Sequence, residues 1–255
     1  MTQYYFLASA LPSLSFKTAP EMAFKELRDL IAMNMTNRDQ EQFDKLLEPM
    51  NLYNIKALWL GFPIDDRGTM TAKELEEALL VRDGLPSYLS DFLDEYESSD
   101  ERLRYFSSLY ASMYRQEVKG FLAKYYAFER ELRLVLTALR AKKAGRDIFR
   151  ELQFEDPQEP FVAEILAQKD SPDYTPPMDY EEVKALFVEN SADPHKLSDA
   201  LLKLRFEKIG EWEENEHFTL DRILAYAARL LIVETALPSD PEKAGAAVEE
   251  LSKYG

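Results

Sequence analysis

Cysteine is absent from the 255 residues. That excludes disulfides, thiolate metal sites, iron–sulfur clusters and cysteine nucleophiles together, and it fits a reducing compartment. Histidine occurs twice, as His195 and His217, and neither stands in a two-histidine helical motif such as H-E-x-x-H. Eight glycines are too few for the many tight turns of an all-β fold. No window of about 18 residues is uninterruptedly apolar, which excludes a membrane-spanning helix. The opening Met1–Leu7 has no basic segment ahead of its apolar stretch, and Pro12 interrupts it, so no secretory signal is expected. Basic residues are outnumbered, 31 against 47 acids, and the net charge of −16 repels phosphate, so a general nucleic-acid binder is not expected.

What is present points to helices. Hydrophobic residues make up 46% of the chain, enough for a packed core, and the length allows one large domain or two ordinary ones. Phe24, Leu27, Leu30 and Ile31 recur at helical spacing behind Pro20 and Glu21. A second helix is predicted from near Asp39 to before Pro49, and a third over Asn51–Leu60, stopped by Gly61 and Pro63. Thr71 with Glu74 three residues on has the capping-box spacing, followed by Leu75, Ala78 and Leu79.

The strongest pattern runs from about Leu103 to Lys143 and predicts one long helix. Val118, Phe121, Leu122, Tyr125, Phe128, Leu132, Val135, Leu136 and Leu139 share a face. Burial of such a stripe contributes about 1.5–3 kcal/mol per large side chain before entropy is subtracted. Gly120 is its weak point, at about 1 kcal/mol relative to Ala, and Gly145 its stop. Five of the thirteen prolines then fall between Pro157 and Pro177, around a short helix at Phe161–Gln168. Helical spacing resumes over Tyr180–Glu189, Pro194–Leu204 and Leu220–Leu237, before Pro238. This organisation predicts an N-terminal helical lobe over 1–152, a Pro-rich crossover over 153–180 and a C-terminal helical lobe over 181–255. Lys142-Lys143-Ala144-Gly145 is echoed by Glu242-Lys243-Ala244-Gly245, and Leu122-Ala123 by Leu224-Ala225, which allows a pseudo-repeat.

Charge is unevenly spread. Residues 102–150 hold twelve basic residues against four acids, a net +8, so the remainder sums to −24. Either the basic helix pairs with acidic neighbours in its own chain, for example across Glu207–Glu216, or it meets an acidic partner protein. If they are not spent internally, Arg130, Arg133, Arg140, Lys142 and Lys143 are the candidate interface charges.

Candidate chemistry is thin. Asp65–Leu75 superficially matches a calcium loop, but with Gly68 at the sixth position Pro63 falls at the first and Arg67 at the fifth, where oxygens are needed. A turn and a capped helix are expected there. Gly84-Leu85-Pro86-Ser87 lacks the second Gly and the Lys of a phosphate loop, and there is no Gly-x-Ser-x-Gly elbow. Acid pairs such as Glu213-Glu214 are expected from composition alone. Trp212, Tyr4, Tyr5, Tyr125 and Tyr126 read as packing or interface residues. No catalytic residue, cofactor or metal site is expected.

The opening Tyr4-Tyr5-Phe6-Leu7-Ala8-Ser9-Ala10-Leu11-Pro12-Ser13-Leu14 resembles the start of an uncharacterised bacterial family whose genes lie among those of V-type ATP synthases. Tyr126–Val135 is similar to a pattern of the V/A-type ATPase central-stalk adaptor (the C/d-type component), where a Glu precedes Asn-Leu-Arg on a long helix; Glu131 stands here in place of that Asn. Phe218–Tyr226 looks like the start of the matching helix near the C-terminus. The resemblance implies an all-α, elongated multi-helix funnel or bundle of two or three lobes, and a non-catalytic adaptor between the membrane rotor ring and the central shaft. It would be cytoplasmic and peripheral to the inner membrane through its complex, binding the ring and the shaft and neither nucleic acid nor a small-molecule substrate. The alternative is an acidic helical interaction or assembly factor unrelated to rotary ATPases. An enzyme would need a deep polar pocket gathering His195 or His217 with acids.

Overall fold

The computed structural model describes residues 4–213 and 218–237. These form fourteen α-helices and, among the described residues, no strand, so the all-helical expectation holds. The helices are α1 Tyr5–Ala10, α2 Phe24–Asn34, α3 Asn37–Leu46, α4 Glu48–Trp59, α5 Ala72–Val81, α6 Ser87–Glu95 and α7 Ser99–Arg104. Then come α8 Ser107–Tyr114, α9 Phe121–Ala144, α10 Ile148–Glu151, α11 Pro160–Leu166, α12 Glu181–Asn190, α13 Pro194–Glu213 and α14 Leu220–Ala236. A 3-10 turn at Met178–Tyr180 leads into α12.

The chain divides into two compact units, and the division does not follow linear order. The first combines residues 1–123 with 205–255, and the second is Lys124–Leu204. The borders fall inside α9 and α13, while the Pro-rich segment lies wholly within the second unit.

In the first unit α14 is the central helix. It is apolar around most of its circumference, and Ile223 through Tyr226, Leu230 and Val233 are buried, as a helix with neighbours on several sides requires. It packs on α1, α2 and α3. A second core gathers Leu52, Ile55, Leu75, Leu89, Phe92, Phe106, Leu109 and Met113 from α4 to α8. The calcium-like loop is a docked turn. Asn54 accepts from the Asp65 N–H and donates to its carbonyl, each at 2.8 Å. Arg67 pairs with Asp65 at 2.5 Å and with Glu234 of α14 at 3.4 Å. Arginine therefore fastens the loop where a cation would have needed oxygen. Thr71 and Glu74 form the expected capping box.

The single helix predicted over Leu103–Lys143 is three helices. The break before α9 centres on Gly120, whose φ of +60° is left-handed. A Cβ there would meet Asp221 Oδ1 at 2.6 Å. Gly120 is thus the residue that lets α9 begin, not a weak point inside it. Val118 precedes the helix. The predicted stop is as expected: Gly145 has φ +64°, and Arg146 N–H reaches Ala141 O at 2.8 Å in a Schellman-type closure. Helix α3 ends before Pro49, as expected, while α4 begins at Glu48 rather than at Asn51 and takes Pro49 into its first turn, where proline loses no helical hydrogen bond.

In the second unit Tyr180 is an aromatic centre of the core. Its ring meets Phe161 at 5.6 Å and Phe128 at 6.4 Å, and its hydroxyl donates to Glu131 at 2.7 Å. Burial, reinforced by the Glu131 carboxylate, pushes its pKa up. Tyr174 is fully buried in the same unit.

Candidate interaction surfaces

Helix α9 brings the candidate basic residues to quite different surroundings. Arg130 reaches Glu155 through Nε at 3.1 Å and Nη2 at 2.8 Å, and Glu159 at 3.4 Å. Arg133 takes the other oxygen of Glu155. The Glu155 side chain is only 2% exposed, so one buried carboxylate bridges two guanidinium groups, and Glu159 supplies the second negative charge. Burial opposes the charge of Arg130, but Glu155 and Glu159 outweigh it and hold the pKa above its ordinary value. Glu159 also caps α11, accepting from the N–H groups of Phe161 and Val162. Its position just before Pro160 was the only local signal for this role.

The remaining three basic residues lie at the C-terminal end of α9. Lys142 donates to Lys169 O at 2.6 Å and to Ser171 O. Lys143 donates to Ser191 O at 2.7 Å and sits over the Phe187 ring at 5.8 Å. Arg140 is exposed. The basic helix does pair inside its own chain, but with Glu155 and Glu159 of the Pro-rich segment. Of the expected acids, Glu213 instead pairs with Arg229 at 2.5 Å, and Glu214–Glu216 lie outside the described residues.

The first unit carries an open cleft of about 720 Å³. Three distant segments build it: the first turns of α3 (Arg38, Asp39, Gln42), the linker before α9 (Glu117–Gly120) and the start of α14 (Thr219–Asp221). Thr219 caps α14. The Tyr4 hydroxyl donates to Asp39, and the Tyr4 N–H reaches Phe218 O at 2.8 Å. The N-terminal Tyr4–Leu7 motif thereby fixes one rim, where Tyr5 and Phe218 rings meet at 4.8 Å. Burial, with help from Asp39, raises the Tyr4 pKa. Two cations and three carboxylates line the cleft. Such a mixture suits polar contacts with groups of either charge.

His195 is exposed in the first turn of α13, where its N–H bonds Asp193 Oδ1 at 3.0 Å. His217 lies outside the described residues, as does the second half of the supposed repeat at 242–245. Trp212 packs edge-on against Phe121 at 6.1 Å. Among the described residues no cluster of three or more His, Asp or Glu is placed to hold a metal, and no helix is long and apolar enough to cross a membrane.

Comparison with known proteins places the chain in a family. A family model described as "Protein of unknown function (DUF2764)" matches residues 1–253. An "Uncharacterized protein" of Chlamydia muridarum (strain MoPn / Nigg) is 32% identical over 241 residues, covering 91% of each chain. One of Chlamydia trachomatis serovar D is 31% identical over 234 residues, covering 88% of each. One of Chlamydia pneumoniae is 29% identical over 262 residues, covering 99% of this chain and 98% of that one. No solved structure matches the chain. The chain belongs to the DUF2764 family.

Proposed function

We propose that this DUF2764 member is a non-catalytic central-stalk adaptor of the C/d type, coupling the membrane rotor ring of a V/A-type ATP synthase to its shaft. One observation carries the reading. The two segments similar to the central-stalk adaptor, Tyr126–Val135 and Phe218–Tyr226, fall on α9 and at the capped start of α14, two of the three longest helices among the described residues. Within the first segment Leu132 is fully buried, and Glu131 and Arg133 are held by Tyr180 and Glu155. Stiff helices with internally satisfied charge suit torque transmission, which asks for rigidity and no reaction chemistry.

The pairing at Glu155 changes which basic residues serve as interface charges. Reversing Arg130 or Arg133 would set a second carboxylate beside buried Glu155 and report on stability. Arg140 and Lys143, both exposed, are the better probes. In native cells, tagged chain should co-purify with rotor-ring and shaft proteins, and Arg140→Glu with Lys143→Glu should reduce that recovery without loss of helical signal. Absence of both from the eluate would overturn the reading and leave the alternative of an unrelated acidic helical factor.

A further inference from the structure

In the first unit, helix α5 has an outward face that is both apolar and acidic. On α5, Leu75 is buried, and Ala78 and Leu79 lie on the same inward side, with Leu79 packed on the second core. The opposite side presents Glu76, Glu77, Leu80 and Val81, all exposed. Leu80, at 84%, is the most exposed large hydrophobic residue among those described, and Val81 beside it is 63% exposed. Helical spacing puts Glu76 and Glu77 one turn from Leu80, and Glu77 one turn from Val81.

The end of α5 is tied to α6. Arg82, at φ +62°, pairs with Asp94 and donates to Leu93 O at 3.2 Å. That joins Asp94, and Asp91 one turn before it, to the same end of the patch. Residues 72–101 contain ten carboxylates against Lys73 and Arg82, and all ten lie on exposed side chains. The adjacent cation, Arg82, is already paired.

We propose that the outer face of α5, with Asp91 and Asp94, docks a basic amphipathic helix of a partner protein. Leu80 and Val81 give an apolar anchor, and the carboxylates around them select lysine and arginine. Charge decides between occupants. A second copy of this chain would bring a net charge of −16 against an acidic face, whereas a basic helix meets it with complementary sign. The inference holds for any basic partner and does not depend on the rotary assignment.

The probe is a fluorescent helical peptide with leucines on one face and lysines on the other, titrated by anisotropy against the full chain. Leu80→Ser with Val81→Ser, and separately Glu76→Lys with Glu77→Lys, should each weaken binding at least tenfold. A distant control, Glu181→Lys with Glu182→Lys, should change it less than twofold. All three should keep the parental circular dichroism, since every substituted side chain is exposed. Equal loss in the control means unspecific attraction and overturns the proposal, as does unchanged binding by the α5 variants. Sedimentation that shows self-association abolished by Leu80→Ser with Val81→Ser assigns the face to a second copy and overturns it as well. Recovery of rotary ATPase proteins is measured separately, so either result can fail without the other.

Discussion

Helices α9 and α5 are both charge-rich, yet they use charge in opposite ways. On α9, Arg130 and Arg133 converge on Glu155, which is withdrawn from water. On α5, Glu76 and Glu77 stand in solvent around Leu80 and Val81. The difference teaches that a run of like charge in sequence says little about availability. What decides is whether a distant segment folds back to bury a counter-charge. Removing one member of a buried set leaves an uncompensated ion, whereas a solvated charge is removed at little cost.

Glu155→Ala should therefore have the largest effect. It removes the buried carboxylate shared by two partly buried guanidinium groups and should cost about 3–5 kcal/mol, lowering the calorimetric midpoint by roughly 6–15 °C. A shift no greater than that of an exposed glutamate would remove the distinction between the two helices.

Lys56 extends the comparison to a buried cation in the first unit. It is 8% exposed and lies over the Phe106 ring at 5.5 Å. Burial pushes its pKa down from 10.5 to about 8. Above pH 8 the folded chain has released a proton that the unfolded chain keeps until about pH 10.5. Stability from this group therefore rises with pH across that window, and its cost is fully present at neutral pH. Lys56→Met should flatten the rise and add about 1–2 kcal/mol at pH 7, after allowance for partial solvation. Urea unfolding at pH 7 and pH 10 measures both.

Thr71→Ala is a smaller change on α5 itself. It removes the hydroxyl that accepts from the Glu74 N–H and donates to the Glu74 carboxylate, leaves the backbone half of the box, and should cost about 1 kcal/mol in urea unfolding. Glu77→Ala should change stability by less than about 0.5 kcal/mol; a larger loss would mean that this carboxylate is structural after all.

Sequence legibility followed the range of the interactions involved. The cap at Thr71, the stop at Gly145 and the apolar face of α14 are written within a few neighbouring residues, and each was readable. Helix α6 and the break before α9 were not. The helical pattern continues through Val118, while the left-handed turn at Gly120 makes sense only with Asp221 packed against it. The candidate charges on α9 were visible as residues, but their partners were not: Arg133 and Glu155 are 22 positions apart. Between them the chain leaves one helix and crosses α10. The cleft is more remote still, because it draws on α3, the linker before α9 and the start of α14. No local periodicity encodes such a convergence. The exposed face of α5 lies between these cases, since its amphipathic spacing is local but its exposure is a property of the fold.

The most direct test of the adaptor account is reconstitution. The purified chain, the rotor ring in detergent and the shaft protein are mixed and followed by sedimentation velocity. The account predicts a single boundary containing all three, and no ring–shaft boundary when the chain is omitted. Three independent boundaries at micromolar concentration, with the chain folded by circular dichroism, would contradict it.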